Sequence, residues 1–171
     1  MTALPIDPIL PDLVAALRAH GRAVLQAPPG AGKTTRVPLA MLKANDVQGR
    51  IIMIEPRRLA TRAAAERLAQ TLDEPVGQSV GYRMRGDTCV STKTRIEVVT
   101  DGILTRMLQS DPDLKGIGAI IFDEFHERSL NADLALALAW EIRAVLRPDL
   151  QILVMSATLD TAPIARLLGN V

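Results

Sequence analysis

The chain has 171 residues, and its 20 basic and 19 acidic side chains give a formal net charge of +1 at pH 7. This balance, together with a hydrophobic content of 48%, is typical of a single globular domain and excludes a disordered chain or a strongly basic nucleic-acid-binding tail. No apolar run approaches the roughly 20 residues that cross a bilayer, and a lone cysteine excludes an internal disulfide, so we expect a cytoplasmic protein that does not bind membranes.

Apolar runs alternate with amphipathic stretches along the chain, which predicts that strands alternate with helices. In chain order, we predict strands near residues 23–26, 51–55, 79–83, 95–100, 119–123 and 151–156. We predict helices near residues 9–19, 33–44, 59–72, 102–109 and 130–146. Runs such as 51–54 are apolar on both faces, as in a parallel sheet covered by helices. The sequence therefore predicts a doubly wound α/β fold whose ligand lies beyond the carboxyl ends of the strands.

The most informative stretch is residues 27–35, APPGAGKTT, which lies between a predicted strand and a predicted helix. Its glycines let successive backbone N–H groups turn toward one centre, where Lys33 and the helix N-terminus add positive charge. Ala27 occupies a position where the strict pattern has glycine, which is tolerable if no positive φ is needed there. We predict a nucleoside triphosphate site formed by Pro29, Gly30, Ala31, Gly32, Lys33, Thr34 and Thr35.

Two acidic residues, Asp123 and Glu124, directly follow another predicted strand. In phosphoryl transfer from a nucleotide, the first acid after such a strand holds Mg²⁺ and the second can orient the attacking water. The alternative is a solvated acidic turn at a helix start. His126 is either a polar residue at that helix start or a relay of nucleotide state to a neighbouring element. We therefore predict Lys33, Asp123, Glu124 and His126 as catalytic residues.

The order of these motifs resembles that of the first RecA-like domain of superfamily 2 helicases, specifically the DEAH-box group. The matching stretches are residues 27–35 (motif I), 56–60 (Ia), 100–102 (Ib), 123–126 (II) and 156–158 (III). The run DEFHERSL, with Phe125 where the family usually has alanine, is similar to the bacterial HrpB-type subgroup. The resemblance implies that Lys33 contacts the β- and γ-phosphates of ATP or another nucleotide, that Thr34 and Asp123 hold Mg²⁺, and that Glu124 positions the water.

Three further residues take roles that only the resemblance implies. Arg67 would stack on the nucleotide base, which a guanidinium can do with any base, and the alternative is a solvated cation on a helix surface. Ser156 and Thr158 would hydrogen-bond to motif II and couple the nucleotide state to domain closure. The alternative is that these hydroxyls cap the next helix, as Asp160 also could.

The expected nucleic-acid contacts lie at motifs Ia and Ib and in one basic segment. The residues are Arg57, Arg58, Arg83, Thr100, Asp101 and Gly102. Hydroxyls, helix-start N–H groups and guanidinium groups are ordinary phosphate partners, although the segment around Arg83 is equally interpretable as a solvated loop. Because the chain has four aromatic residues, we expect salt-dependent binding to the backbone and not base stacking.

The leading hypothesis is that residues 1–171 are the ATP-binding motor domain of a 3′-to-5′ ATP-dependent RNA helicase. The resemblance implies a second RecA-like domain that supplies arginine fingers, and we recognise no such element in this sequence. Since an arginine finger contributes about 10³–10⁵ in rate, we expect a monomeric, truncated fragment with little activity alone. The alternatives are a non-catalytic, nucleotide-dependent interaction module and a DNA-directed motor of the same superfamily.

Overall fold

Strands and helices alternate along the chain in a computed structural model that describes residues 2–158 and 162–169. The strands are β1 (Arg22–Gln26), β2 (Arg50–Glu55), β3 (Val80–Met84), β4 (Asp87–Cys89), β5 (Ile96–Thr100), β6 (Ile117–Phe122) and β7 (Gln151–Ser156). The α-helices are α1 (Leu10–His20), α2 (Lys33–Ala44), α3 (Arg58–Thr71), α4 (Asp101–Ser110), α5 (Leu130–Val145) and α6 (Ala162–Leu167). Two short 3₁₀ helices are Asp7–Ile9 and Phe125–Glu127.

The seven strands form one sheet in the order β1-β7-β6-β2-β5-β3-β4. All pairings are parallel except that of β4 with β3. The predicted α/β class with a mostly parallel sheet is therefore confirmed. In this order β7 lies between β1 and β6, so the segments that leave these three strands meet at one edge of the sheet.

Residues of the central strands alternate between two hydrophobic cores, one on each face of the sheet. In β2, Ile51 and Met53 contribute to the core shared with α1, α2 and α3. Ile52 and Ile54 contribute to the core shared with α4, α5 and α6. Burial on both faces explains why the strand sequences are continuously apolar. No described helix is both long and apolar enough to cross a membrane.

The predicted elements differ from the observed ones mainly at the edge of the sheet and at strand ends. The sequence analysis missed β4, because its three residues are too few to show an alternating pattern. The predicted strand 119–123 ends at Phe122 instead, so Asp123 lies just beyond it. The helix expected after residue 158 begins at Ala162, and the proposed cap Asp160 lies outside the described residues.

Candidate active site

The loop between β1 and α2 takes the sharp backbone turns that its glycines allow. Gly30 and Gly32 have φ angles of 80° and 98°, which residues with a Cβ rarely adopt. Space around an added Cβ is open at Gly30, whereas at Gly32 the side chain of Leu4 lies in the way. Ala27 is not among the residues with positive φ, and its N–H donates to the carbonyl of Ser156 at 3.0 Å. Alanine therefore fits the first position of this loop.

A segment near the N-terminus supports the loop, which the sequence analysis did not predict. The N–H of Ile6 donates to the carbonyl of Ala31 at 3.0 Å, and Ile6 is buried. The carboxylate of Asp7 lies 3.5 Å from the guanidinium of Arg36 on α2. Since Leu4 also occupies the space beside Gly32, the segment restrains the loop from its outer side.

Four predicted site residues converge where this loop meets the segment after β6. The side chain of Lys33 is 4% exposed, and its Nζ lies 3.4 Å from Oε1 of Glu124. The hydroxyl of Thr34 donates to Oδ2 of Asp123 at 2.7 Å, and Asp123 is buried. The two acids are joined as well, because the N–H of Glu124 donates to Oδ1 of Asp123 at 2.9 Å. A buried ammonium, a hydroxyl and two carboxylates thus form one cluster.

The backbone at Glu124 is bent so that its side chain returns to this cluster. Glu124 has φ 52° and ψ 36°, in the left-handed region. Such a conformation is uncommon for a residue with a Cβ, and strained residues of this kind are concentrated at functional sites. This backbone conformation places the carboxylate of Glu124 beside Lys33. The neighbouring Asp123 also faces the loop.

His126 connects this cluster to the segment after β7. Its Nε2 lies 3.0 Å from Oε2 of Glu124, and its Nδ1 accepts a hydrogen bond from the N–H of Ala157 at 3.1 Å. The predicted hydroxyl contacts differ: Ser156 Oγ lies 3.2 Å from Thr158 Oγ1 and accepts from the Thr158 N–H at 3.2 Å. In the described part of the chain, the expected link to motif II is therefore made by the backbone N–H of Ala157. The hydroxyls of Ser156 and Thr158 lie within hydrogen-bond distance of each other instead.

Glu55 is a further polar residue at this place, and the sequence analysis missed it. It is the last residue of β2 and is 3% exposed. Burial first, and then a hydrogen bond to the Asp123 carboxyl, raise the pKa of Glu55 to about 11. Its Oε1 is a buried side-chain atom without a hydrogen-bond partner in the described structure. The one signal in the sequence is an acid that ends an otherwise apolar strand.

The expected nucleic-acid residues lie on the same edge, beside the segment that follows Glu124. Arg57 Nη2 lies 2.6 Å from Oε1 of Glu127, with the two side chains 71% and 31% exposed. The hydroxyl of Ser129 donates to Oδ2 of Asp101 at 2.7 Å. A cavity of about 250 Å³ is lined by residues of the segment after β2, the start of α4 and the segment after β6. Neither Glu127 nor Ser129 was predicted, since both contacts depend on the order of the strands.

The other expected nucleic-acid residues differ in their surroundings. Thr100 ends β5, and the N–H of Gly102 donates to the neighbouring Asp101 carboxylate at 2.8 Å. Arg58 donates to the carbonyl of Arg85 at 2.8 Å. Arg83 lies within β3, so the interpretation of a solvated loop is wrong for this residue.

Arg83 is partly exposed and paired with a buried acid, whereas Arg67 is exposed on a helix surface. Arg83 Nε lies 2.7 Å from Oε1 of Glu97, whose other oxygen lies 2.6 Å from Arg50 Nη1. Glu97 is fully buried, so Arg83 stabilises a buried charge in addition to any contact with nucleic acid. Arg67 is exposed on α3, which leaves both the stacking role and the solvated role open.

Comparison with known proteins places these motifs in a family. A model of the DEAD/DEAH box helicase family matches residues 9–167. The chain is 53% identical over 168 residues to the ATP-dependent RNA helicase HrpB of Escherichia coli (strain K12), covering 98% of this chain and 21% of that protein. It is 38% identical over 168 residues to the ATP-dependent RNA helicase HrpA of Borreliella burgdorferi, covering 98% of this chain and 20% of that protein.

A solved structure gives the same result. The crystal structure of the E. coli DExH-box NTPase HrpB matches with a TM-score of 0.94 and 53% sequence identity, over 98% of this chain and 21% of that chain. The likeness therefore extends over nearly all of this chain. The chain spans about a fifth of the length of these two relatives.

Proposed function

Because the chain belongs to the DEAD/DEAH box helicase family, we propose that it is the ATP-binding motor domain of an ATP-dependent RNA helicase. The observation that carries this proposal is the convergence of Lys33, Thr34, Asp123 and Glu124 in one cluster. The Lys33 ammonium lies in this cluster beside a loop with open space at Gly30, an arrangement that suits an anionic ligand. A non-catalytic nucleotide-binding module, in turn, does not require Glu124.

The residues of the cluster fit a hydrated Mg²⁺ ion. Hydroxyl and carboxylate oxygens are its preferred ligands, and Thr34 and Asp123 present one of each 2.7 Å apart. The unpartnered, buried oxygen of Glu55 adds a further acceptor nearby. Bound there, the ion neutralises charge on the β- and γ-phosphates. Thr34 and Asp123 hold it, and the loop N–H groups bind the phosphates.

Lys33 and Glu124 have separate roles in phosphate binding and in hydrolysis. Lys33 releases Glu124 and binds the β- and γ-phosphates as the nucleotide enters. Glu124, freed from that ion pair, orients the attacking water and accepts its proton. His126 holds Glu124 at Oε2, so its ring limits the directions that this carboxylate can take. Arg67 contributes base stacking, which does not discriminate between bases.

The nucleic-acid strand binds along the edge formed by motifs Ia and Ib. Arg57 and Arg58 bind phosphates there, together with the hydroxyl of Thr100 and the start of α4 at Asp101 and Gly102. Arg83 extends the basic surface. Hydrolysis at full rate, and movement in the 3′-to-5′ direction, require a second RecA-like domain with arginine fingers, supplied by the rest of a longer protein.

The first experiment is a titration of this chain with a fluorescent ATP analogue in the presence of Mg²⁺, with phosphate release followed in parallel. We expect saturable binding and very slow turnover. Lys33→Ala should abolish binding, whereas Lys43→Ala should not, because Lys43 is an exposed lysine on the same helix. Equal binding by both variants would contradict the proposed site.

Competition between RNA and DNA strands of the same sequence tests the proposed nucleic-acid partner. Preference for RNA requires contacts to the 2′-hydroxyl, whereas phosphate contacts alone bind both strands. Equal competition would favour a DNA-directed or unselective motor and would leave the nucleotide site unaffected.

A further inference from the structure

Glu55 stands apart from the other residues of its strand. The four residues before it, 51–54, are apolar and buried, and an acid in such a place is rare unless it has a partner. Its backbone lies beside Asp123, because the N–H of Asp123 donates to the carbonyl of Ile54 at 3.1 Å. Glu55 therefore lies next to Asp123, one of the residues proposed to hold Mg²⁺.

Glu97 is another buried acid of this chain, and the comparison shows what Glu55 lacks. Both oxygens of Glu97 are paired with guanidinium groups, those of Arg50 and Arg83, at 2.6 and 2.7 Å. Glu55 forms no ion pair within residues 2–158 and 162–169. Its Oε1 also has no hydrogen-bond partner there. Glu97 is thus a structural acid with its partners in place, whereas Glu55 is not.

A buried acceptor without a partner is unfavourable, and such an atom in a folded protein points to a missing donor. The Asp123 carboxyl, which contacts Glu55, belongs to the site proposed for a hydrated ion. Mg²⁺ keeps several of its waters when a protein binds it, and those waters are hydrogen-bond donors. Residues that contact such waters orient the ion without touching it.

We propose that Glu55 is a positioning residue for the Mg²⁺-bound nucleotide: its buried Oε1 accepts a hydrogen bond from a water of the ion held by Thr34 and Asp123. This inference rests on the proposed function and extends it by one residue. An oxygen acceptor serves this role whether or not the other carboxyl oxygen carries a proton, so the inference does not depend on the ionisation of Glu55.

The test compares Glu55→Gln with Glu55→Leu. Glutamine keeps an acceptor oxygen at the same distance from the backbone, and leucine fills much of the space without one. The affinity of a fluorescent ATP analogue is measured over a range of Mg²⁺ concentrations and again in EDTA. We expect the Glu55→Gln variant to need the same Mg²⁺ concentration as the unsubstituted chain, and the Glu55→Leu variant to need roughly 10–100 times more. In EDTA the three proteins should bind the analogue equally.

Two results would overturn the inference. One is a Glu55→Leu variant with the Mg²⁺ requirement of the unsubstituted chain, and the other is a Glu55→Gln variant as impaired as Glu55→Leu. Glu55→Met, which is unbranched and lacks the acceptor, repeats the measurement if the leucine variant does not fold by circular dichroism. Failure of the proposed function is a different result, because the unsubstituted chain would then show no binding that depends on Lys33.

Discussion

The N–H of Ala157 donates to Nδ1 of His126 at 3.1 Å, so the segment after β7 is bonded to the ring that follows Asp123 and Glu124. An acceptor at Nδ1 carries no proton, and Nε2, 3.0 Å from a Glu124 oxygen, is then the protonated nitrogen. These contacts assign the accepting role to Nδ1 and the donating role to Nε2. The ring thereby links Glu124, which would sense the γ-phosphate, to motif III.

Replacement of His126 by alanine should loosen the segment after β7. The Ala157 N–H loses its acceptor, and a net loss of about 1 kcal/mol corresponds to roughly fivefold faster exchange of that amide with solvent. Hydrogen exchange of the ¹⁵N-labelled chain measures this. His20→Ala is the control, because His20 is exposed at the end of α1. Unchanged exchange at Ala157 in the His126→Ala variant would argue against the link.

Replacement of Glu124 by glutamine should separate binding from hydrolysis. The change removes the anion 3.4 Å from Lys33 and so lowers the repulsion of the incoming phosphates. A loss of about 1 kcal/mol of charge repulsion should raise nucleotide affinity by roughly 3–10-fold. Because this chain alone is expected to turn over very slowly, phosphate release is measured in the longer protein that carries the proposed second RecA-like domain, where it should fall to background. Glu141→Gln, an exposed acid on α5, should change neither quantity. A Glu124→Gln variant with normal phosphate release would exclude Glu124 as the residue that activates water.

Replacement of Glu127 by glutamine should strengthen binding to single-stranded nucleic acid. Glu127 Oε1 lies 2.6 Å from Arg57 Nη2 and would compete with phosphate for that guanidinium. An exposed pair of this kind contributes up to about 1 kcal/mol. We therefore expect an increase in affinity of up to about fivefold, measured by fluorescence anisotropy with a labelled RNA strand. Arg57→Ala should weaken binding and reduce the salt slope by about 1.

The double variant Arg57→Ala/Glu127→Gln distinguishes competition from a general charge effect. If Glu127 acts by occupying Arg57, its replacement changes little once Arg57 is absent. An unchanged gain in affinity in the double variant would indicate long-range repulsion between Glu127 and the strand.

Local sequence patterns were sufficient to predict the residues around Lys33 and Asp123. Each belongs to a short motif at the carboxyl end of a strand, and a parallel sheet places all such ends at the same edge. The strands themselves were predictable because burial on both faces makes them continuously apolar, as in β2 and β6. These predictions required no knowledge of which strands are neighbours.

The contacts that were missed depend on that knowledge. Glu55 meets Asp123 only because β2 pairs with β6. Glu127 meets Arg57 for the same reason, since the segments that carry them follow these two strands. The left-handed backbone of Glu124, at φ 52°, could not be predicted either, because no residue around it signals such a conformation. Tertiary pairing, and not the chemistry of the residues, limited the prediction of the site.

The raised pKa of Glu55 should make stability depend on pH in a defined direction. In the unfolded chain the carboxyl has its ordinary pKa of 4.5, and in the folded chain its pKa is about 11, chiefly because of burial. Between these values the folded state binds a proton that the unfolded state has released. The contribution of Glu55 to stability is therefore complete below pH 4.5 and is lost as the pH rises toward 11.

Glu55→Gln removes this dependence, because glutamine is neutral at every pH. We expect the stability of the variant relative to that of the unsubstituted chain to increase with pH above 4.5, by at most about 1.4 kcal/mol per pH unit. Urea unfolding at several pH values from roughly 5 to 9 measures this difference, because linkage acts in that range. EDTA is present so that no metal binds. Glu141→Gln should show no such trend, since Glu141 is exposed. Parallel pH profiles for the Glu55→Gln variant and the unsubstituted chain would show that Glu55 is ionised in the folded protein.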